Sequence, residues 1–392
     1  MDDLFKERAA ALALNTAFGF EPKISRSLIG QLGTAASVFD ISEKDLDELF
    51  GPYSKHRALV GSAALEEACR ELERLEGRGY RFVSLCEEDY PALLRECPDA
   101  PAGLYVRSCS ELGDIFNRGR NISVVGTRDI SPYGSEWCTR IVRTIAQAPS
   151  KPTVVSGLAI GVDVTAHLCA LAEGIPTIAV IPTGIEDVYP SRHRVVAEKI
   201  AAAPGSALVT DYPPGSQPVP VNFLRRNRII AGMSGATVLI ESKAKGGGTM
   251  TARLASGYGR EVFCLPGRVD DSRSAGCNLL IQEKIAEPII SLATLPQALG
   301  LGRFSRRKAA DLEEELSRRY GDARDGEAAP LLPGILKLVR IIRKQRGIDL
   351  DDLCRQSGMG IAEVTEITGL LESDGIICTD ILRRCSINLK FV

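Results

Sequence analysis

Residues 223–268 read FLRRNRIIAGMSGATVLIESKAKGGGTMTARLASGYGREVFCLPGR, and the middle of this stretch decides the fold. Its apolar run Ala236 to Ile240 predicts a buried strand, and the glycines at 246–248 lead from that strand into a helix. Free N–H groups at a helix start, beside glycines that let a ligand approach closely, favour anion binding. The stretch therefore predicts an α/β protein that binds phosphate after this strand, with a flexible surface turn as the alternative.

Outward from this stretch, short apolar runs alternate with helical segments, which predicts a parallel sheet covered on both faces. The predicted strands lie near 122–125, 154–155, 177–181, 207–209, 237–240 and 261–265. The loops that follow them are Gly126-Thr127-Arg128, Ser156 to Gly161, Pro182-Thr183-Gly184, Thr210 to Gly215, Glu241 to Gly248 and Pro266-Gly267-Arg268. Because the carboxyl ends of parallel strands share one edge, we expect these loops to form one functional rim.

The rim lacks the patterns of several enzyme classes. Thr249 and Met250 stand where a nucleotide-hydrolysing loop has Lys and Ser/Thr. The segment 157–161 is Gly-x-x-x-Gly, which disfavours a nicotinamide or flavin enzyme. No Gly-x-Ser-x-Gly elbow is present, and the spacing of His167 predicts a core or capping histidine rather than a catalytic base. We expect no catalytic residue and no cofactor.

Composition places the chain among ordinary soluble proteins. It has 392 residues, a hydrophobic fraction of 44% and a formal net charge of -2, so a nucleic-acid interface would have to come from local clustering of basic residues. The 11 scattered cysteines form no Cys-x-x-Cys pair and predict reduced thiols, and three histidines without ligand spacing predict no metal site. Without an apolar leader or a long apolar run, we expect a cytoplasmic protein that is not in a membrane.

Composition shifts predict four regions along the chain. Residues 1–75, with glycine breaks between short helices, predict a small all-helical domain of the SAM or helix-hairpin type, and 76–300 hold the sheet. Residues 301–333 are polar and charge-mixed, which predicts a partly helical or disordered linker. Residues 334–392 predict three helices followed by a strand pair, a winged-helix pattern whose charge is nearly balanced.

Individual polar residues of the rim have two interpretations each. Arg192 opens a helix and could reach a phosphate, and Lys245 precedes the glycines. Asp163 is predicted to cap the helix that follows the 157–161 loop. The arginines within 225–228 could contact a ligand, or could pair with acids such as Asp211.

Taken together, these motifs resemble those of the DNA-processing protein A family (DprA, also called Smf), which acts in natural transformation of bacteria. The matching stretches, in order, are VVGTR and SPYG within 124–134, SGLAIGVD at 156–163, PTGIEDVYP at 182–190, DYPPG at 211–215, RRNRIIAGMS at 225–234, GGGTMTA at 246–252, LPGR at 265–268 and AGCNLLI at 275–281.

The resemblance implies an extended Rossmann-like domain that binds single-stranded DNA, associates as a homodimer and hands the strand to the recombinase RecA. Backbone N–H groups and arginines would hold phosphates while the bases stay largely unread. The DNA-binding candidates are Gly126, Thr127, Arg128, Ser156, Gly157, Gly161, Arg192, Arg226, Asn227, Arg228, Lys245, Gly247, Gly248 and Thr249.

Two other classes of function remain as alternatives. The glycine-rich rim is similar to that of nucleotide phosphoribohydrolases of the lysine-decarboxylase-like Rossmann group, but Met250-Thr251-Ala252 supply no catalytic carboxylate after the loop. An adaptor whose terminal regions are its working parts is the third possibility.

Overall fold

The computed structural model describes residues 2–51, 53–302, 307–321, 331–345, 347–380 and 384–387. Two compact units make up the chain, Met1–Arg303 and Phe304–Val392. The predicted division of the first unit at residue 75 stays a prediction. Within the described residues, none of the helices has the length and apolar composition that a transmembrane span needs. All 11 cysteines are free thiols.

The first unit alternates strands and helices after an all-helical start. Its strands are β1 (Arg81–Ser84), β2 (Gly103–Arg107), β3 (Asn121–Val125), β4 (Thr153–Ser156), β5 (Thr177–Val180), β6 (Ala207–Thr210), β7 (Ala236–Leu239), β8 (Glu261–Cys264) and β9 (Glu287–Pro288). Its helices are α1 (Asp3–Phe18), α2 (Pro22–Leu32), α3 (Ala35–Asp40), α4 (Glu43–Phe50), α5 (Ser62–Gly77), α6 (Ala92–Arg95), α7 (Pro132–Ala146), α8 (Val162–Ala172), α9 (Arg194–Ala202), α10 (Pro220–Gly232), α11 (Gly247–Gly257), α12 (Ala275–Gln282) and α13 (Leu295–Ala298).

These strands form one sheet, nine strands wide in the part of the chain that the structure describes, in the order β1-β2-β6-β5-β4-β3-β7-β8-β9. From β6 to β9 neighbouring strands are parallel. All six strands predicted from the apolar runs are confirmed, as is the α/β class.

Strands β3 to β8 are buried on both faces, apart from Glu261 at the start of β8, which explains their largely apolar sequences. In β3, Val124 belongs to the hydrophobic core on one face of the sheet and Val125 to the core on the other, because successive side chains alternate across a strand. Cys138 and Ile141 of α7 fill the first core. Leu14 and Phe18 of α1 fill the second, so the N-terminal helices share a core with the sheet.

The antiparallel pair β1–β2 was not part of the predicted sheet. It extends the sheet beyond β6, with Tyr105 opposite Thr210. Helix α1 is tied to the same place, because Asn15 Nδ2 donates to the Asp211 carbonyl at 2.8 Å. The N-terminal helices are thereby anchored next to a rim loop.

The second unit contains α14 (Arg307–Gly321), α15 (Leu332–Lys344), α16 (Leu350–Ser357) and α17 (Ile361–Ser373), followed by β10 (Ile377–Thr379) and β11 (Cys385–Ile387). Helix α14 lies in the predicted linker, yet its Leu312, Leu316 and Tyr320 are buried in this unit's own core. The strand pair is antiparallel. The sequence predicts a strand pair at 376–378 and 385–389, and residues 388–389 lie outside the described ones. The winged-helix assignment stays a prediction.

Candidate nucleic-acid interface

The strand order reverses between β3 and β7, which are adjacent although β4, β5 and β6 come between them in sequence. In open α/β sheets a crevice forms at such a switch point, beyond the carboxyl ends of the strands. Here the two loops touch directly, since the Thr127 N–H donates to the Glu241 carbonyl at 2.7 Å. Gly126 allows this approach: a Cβ there would lie 2.9 Å from the Glu241 carbonyl oxygen.

Glu241 also fixes the start of α7. Its carboxylate accepts hydrogen bonds from the Ser131 N–H at 2.9 Å and from the Ser131 hydroxyl. Ser131 in turn caps the helix, because its hydroxyl accepts from the Gly134 N–H at 3.0 Å. The buried carboxylate therefore joins the end of β7 to the loop after β3.

The loop after β4 packs against the loop after β3. The Val162 N–H donates to the Thr127 carbonyl at 3.2 Å, and a Cβ on Gly161 would lie 2.9 Å from the Arg128 carbonyl carbon and oxygen. Gly161 has φ +86°, where a side chain is strained in any case. Ser156 is wholly buried and donates its hydroxyl hydrogen to the Val124 carbonyl at 2.6 Å.

Charged side chains lie buried beneath this loop. Arg226 is 3% exposed, and burial lowers the pKa of its guanidinium to about 10. Burial also raises the pKa of Asp163, against the attraction of Arg226. The Asp163 carboxylate accepts from the Ala159 N–H at 3.4 Å, in the loop before α8. Gly161 is the N-cap of α8 and the cap makes no side-chain hydrogen bond, so the predicted capping by Asp163 is wrong.

Arg228 is part of an internal ion pair. Its guanidinium contacts the Asp211 carboxylate and the Asp99 carbonyl, and both charged side chains are buried. The predicted alternative, pairing with Asp211, is therefore confirmed. Asn227 is also buried, and its side-chain amide makes no hydrogen bond to the residues that the structure describes.

The glycine loop after β7 opens α11 at Gly247. Gly248 packs on the switch point, since a Cβ there would lie 3.0 Å from Gly126 Cα. Thr249 is buried and donates its hydroxyl hydrogen to the Lys243 carbonyl at 2.9 Å. Gly247 is exposed at the helix N-terminus, beside the exposed side chain of Lys245.

Exposure divides the predicted residues into two sets. Those at the surface or partly exposed are Gly126, Thr127, Arg128, Arg192, Lys245 and Gly247. Those buried are Ser156, Gly157, Gly161, Arg226, Asn227, Arg228, Gly248 and Thr249. The surface set lies on the loops after β3, β5 and β7.

Arg128, Arg192 and Lys245 share a second property. Across the described ranges their charged groups make no ion pair and no hydrogen bond. By contrast, Arg253 pairs with Glu283 at 2.7 Å, and Arg268 pairs with Asp270 at 2.8 Å. The rim thus carries positive charge that no direct ion pair with the described residues neutralises.

The sequence analysis did not identify an aromatic ring that lies against Arg128, or a second ring that contacts the first. The Arg128 guanidinium carbon lies 4.7 Å from the centroid of the Phe223 ring, which meets the Tyr189 ring edge-on at 5.4 Å. Tyr189 is 44% exposed. A signal was present in the sequence, because Phe223 stands two residues before Arg225, the first of the arginine cluster, but its nearness to Arg128 comes only from the fold.

The described residues show no set of metal ligands. Among the described residues, no group of three or more His, Cys, Asp or Glu side chains is arranged to hold a metal ion. His167 is buried: its Nδ1 lies 2.7 Å from the Thr177 hydroxyl, which itself donates to the Val154 carbonyl, so Nδ1 is the donor. Burial lowers the pKa of His167 to about 3, which keeps the ring neutral.

This fold and this edge define a class: an extended Rossmann-like α/β protein whose switch point presents exposed basic groups and a helix N-terminus. The chain belongs to the family described as DNA recombination-mediator protein A, whose model matches residues 81–300, more than half of its 392 residues. The resemblance to the DprA/Smf family is confirmed.

Relatives and solved structures agree with this family. Protein Smf of a Synechocystis strain is 37% identical over 229 residues, an alignment that spans 58% of this chain and 56% of that protein's length. The crystal structure of DNA processing protein A from Streptococcus pneumoniae has a TM-score of 0.53 and 29% identity, covering 67% of this chain and 92% of its own. A structure of DNA processing protein A from Helicobacter pylori, reported for its single-stranded DNA binding mode, has a TM-score of 0.50 and 27% identity, covering 56% of this chain and 95% of its own.

Proposed function

We propose that this protein binds single-stranded DNA along the rim without chemically changing it. The observation that carries the proposal is the unneutralised positive charge of Arg128, Arg192 and Lys245 on three loops of one edge. Strands β5, β4, β3 and β7 are consecutive in the sheet. The loops after β5 and β7 are therefore about 14 Å apart at ordinary strand spacing, far enough to follow several nucleotides.

The aromatic contact explains a preference for single strands. Phe223 lies against the guanidinium of the exposed residue Arg128 and contacts the Tyr189 ring, so a phosphate and an adjacent base could be held together there. A base can stack on such a ring only when it is not already stacked in a duplex. Stacking of this kind is tolerant of base identity, so binding is expected to depend little on sequence.

A non-catalytic role is supported by the surroundings of the glycine loop. The acidic residue closest in sequence to Thr249 is Glu241, and its carboxylate is occupied by the Ser131 N–H and hydroxyl. A nucleotide phosphoribohydrolase would need a carboxylate free to act on its substrate. Release of ribose phosphate from any of a panel of nucleoside monophosphates would overturn the non-catalytic assignment.

Within recombination, we assign the protein the role of delivering the bound strand to RecA, as a homodimer in the cytoplasm. Support comes from the family description, DNA recombination-mediator protein A. The test is RecA's DNA-dependent ATP hydrolysis on a strand already coated by single-strand-binding protein. The protein should shorten the lag before hydrolysis, and sedimentation should show a two-chain species. An unchanged lag would remove RecA from the proposal.

The binding proposal is tested by fluorescence anisotropy. A labelled oligothymidine strand and a duplex of the same length are titrated with the protein across a range of salt concentrations. Binding should favour the single strand and weaken steeply with salt, because phosphate contacts release condensed cations. Equal affinity for both DNAs, or affinity that ignores salt, would refute it.

A further inference from the structure

Two buried side chains hold the loop between β4 and α8 from below. Arg226 of α10 donates from Nη1 to the Gly157 carbonyl at 2.6 Å and also contacts the Val180 carbonyl. His193, in the turn before α9, lies with Nδ1 2.8 Å from the Leu158 carbonyl oxygen, which can only accept. Two successive peptide planes, 157–158 and 158–159, are therefore fixed by donors from two other elements.

The conformation of this loop requires such support. Leu158 has φ +57°, a left-handed backbone that residues with a side chain seldom adopt without outside contacts. Gly157 makes room for the guanidinium, because a Cβ there would lie 2.6 Å from Arg226 Cζ. The loop and the arginine thus fit one another closely.

The loop in turn supports the surface residue Arg128. Its end at Gly161 and Val162 packs against the backbone of Thr127 and Arg128, through the 3.2 Å hydrogen bond from Val162 to Thr127 and the close approach of Gly161. A shift of the loop would move the backbone that carries the Arg128 side chain. It would also move Ile160, the exposed tip of the loop.

Neither of the two supporting side chains is placed to touch DNA. Arg226 is 3% exposed and His193 is 7% exposed, and the nitrogens described above already donate to backbone carbonyls. A phosphate contact through Arg226 Nη1 or His193 Nδ1 would require breaking those hydrogen bonds inside the protein, which leaves buried groups without partners.

We propose that Arg226 and His193 are positioning residues, which keep the Gly157–Gly161 loop in the shape that presents Arg128 to single-stranded DNA. This proposal rests on the proposed DNA-binding function. Arg226, within the RRNR stretch at 225–228, therefore supports the rim from inside the protein instead of contacting DNA at the surface.

The first test uses two substitutions of His193. In His193→Asn the amide nitrogen takes the place of Nδ1 and can still donate to Leu158, whereas His193→Phe keeps a ring and loses the donor. Losing one buried hydrogen bond should weaken DNA binding by about tenfold in the Phe variant. The Asn variant should retain most of the affinity.

Hydrogen exchange in the DNA-free protein gives a readout that does not depend on binding. Amides within 156–162 should exchange roughly tenfold faster in His193→Phe than in the wild type, because the loop loses one of its fixed peptide planes. The Asn variant should exchange at nearly the wild-type rate. Unchanged exchange in the Phe variant overturns the positioning role, whatever the DNA result.

The second test separates support from contact at Arg226. If Arg226 acts only through Arg128, adding Arg226→Gln to Arg128→Ala leaves the salt slope of the single Arg128→Ala variant unchanged. If Arg226 contacts a phosphate itself, the double variant loses about a further 0.7 of slope, the value for one contact on a single strand. Arg226→Lys keeps the charge but not the two-carbonyl geometry, so support predicts a loss close to that of Gln, and direct contact predicts near-normal binding.

The outcomes keep the two proposals apart. Wild-type protein that binds no single strand refutes the proposed function, and the exchange experiment still decides the positioning role. Wild-type binding together with normal affinity in His193→Phe, or a further fall in salt slope when Arg226→Gln is added to Arg128→Ala, refutes the positioning role and leaves the function standing. Thermal melting identifies any variant that has not folded.

Discussion

Arginines at the carboxyl edge of the sheet belong to two physical types. Arg228 is buried and paired with Asp211, as a charge removed from water has to be. Arg128 is exposed, and its guanidinium lies against the face of the Phe223 ring. Solvent stabilises the free charge of Arg128, so a phosphate can replace water there without breaking the fold. At the scale of residues, solvation therefore decides which arginines are available to a ligand.

Arg128→Ala should weaken binding of an oligothymidine strand about tenfold and reduce its salt slope by about 0.7, since one phosphate contact is lost. The midpoint of thermal unfolding should stay within about 2 °C, because an exposed side chain without an ion pair adds little stability. Arg143→Ala is the matched control: Arg143 is also exposed but lies in the last turn of α7, away from the rim, and pairs with Glu173. Equal effects of both substitutions would remove Arg128 from the site.

His167 should make the protein sensitive to acid. Because burial lowers its pKa from 6.5 to about 3, the unfolded chain binds a proton below pH 6.5 that the folded chain does not. The free energy of unfolding should therefore fall as pH drops through that window, by about 2 kcal/mol between pH 6.5 and 5 from this group alone.

Urea unfolding of the wild type and of His167→Asn at both pH values isolates this contribution. The Asn variant keeps a donor toward the Thr177 hydroxyl but cannot take up a proton in this range. Its loss of stability from pH 6.5 to 5 should be about 2 kcal/mol smaller than that of the wild type. Parallel pH profiles would mean that His167 is protonated in the folded protein.

At the scale of elements, the loops of the rim are held by one another rather than by their own sequences. The loop after β3 is bonded to the end of β7, and the start of α8 is bonded to the loop after β3. Glycines lie where these segments meet, at Gly126, Gly161 and Gly248. A side chain at one of these contacts should therefore disturb the neighbouring loop as well as its own.

Gly161→Ala is the corresponding variant, and Gly174→Ala is its control. Both glycines flank α8 with positive φ, +86° and +66°, but only Gly161 faces backbone atoms of the next loop, whereas nothing lies within 4 Å of a Cβ on Gly174. Gly174→Ala should lose only about 1–2 kcal/mol of unfolding free energy, the penalty of the left-handed backbone. Gly161→Ala should lose about 3 kcal/mol or more and also bind DNA weakly. Similar losses in urea unfolding would show that the loops are not coupled.

Sequence reasoning succeeded where the signal is local. A buried parallel strand is a continuous apolar run, so β3 through β8 could be located, and the meeting of their loops at one edge followed from the parallel arrangement. The sequence could not predict which arginine side chains within 225–228 point into the protein. These directions depend on how α10 rotates against the sheet, and the pairing of Arg128 with Phe223 joins residues 95 positions apart (223 − 128).

At the scale of the whole molecule, every predicted DNA contact lies between residues 126 and 249, inside the unit Met1–Arg303. That unit has hydrophobic cores built from its own residues. A fragment of residues 1–303 should fold and bind the oligothymidine strand within about twofold of the full chain, as distant parts contribute independently. Anisotropy measures this directly, and a loss greater than about tenfold would place part of the interface in residues 304–392.

The borders of the sheet have a consequence for self-association. An edge strand with unpaired backbone N–H and C=O groups can pair with a strand of another chain. Proteins prevent this with edge strands that are short or contain proline. Here the edge strand β9 has two residues, and one of them, Pro288, has no N–H that could donate to a strand of another chain. The opposite border, β1, has four residues and packs against α1 and α5. In the described residues both edge strands are thus short, which disfavours growth of the sheet into a fibre, and we expect two copies of this chain to meet through side chains.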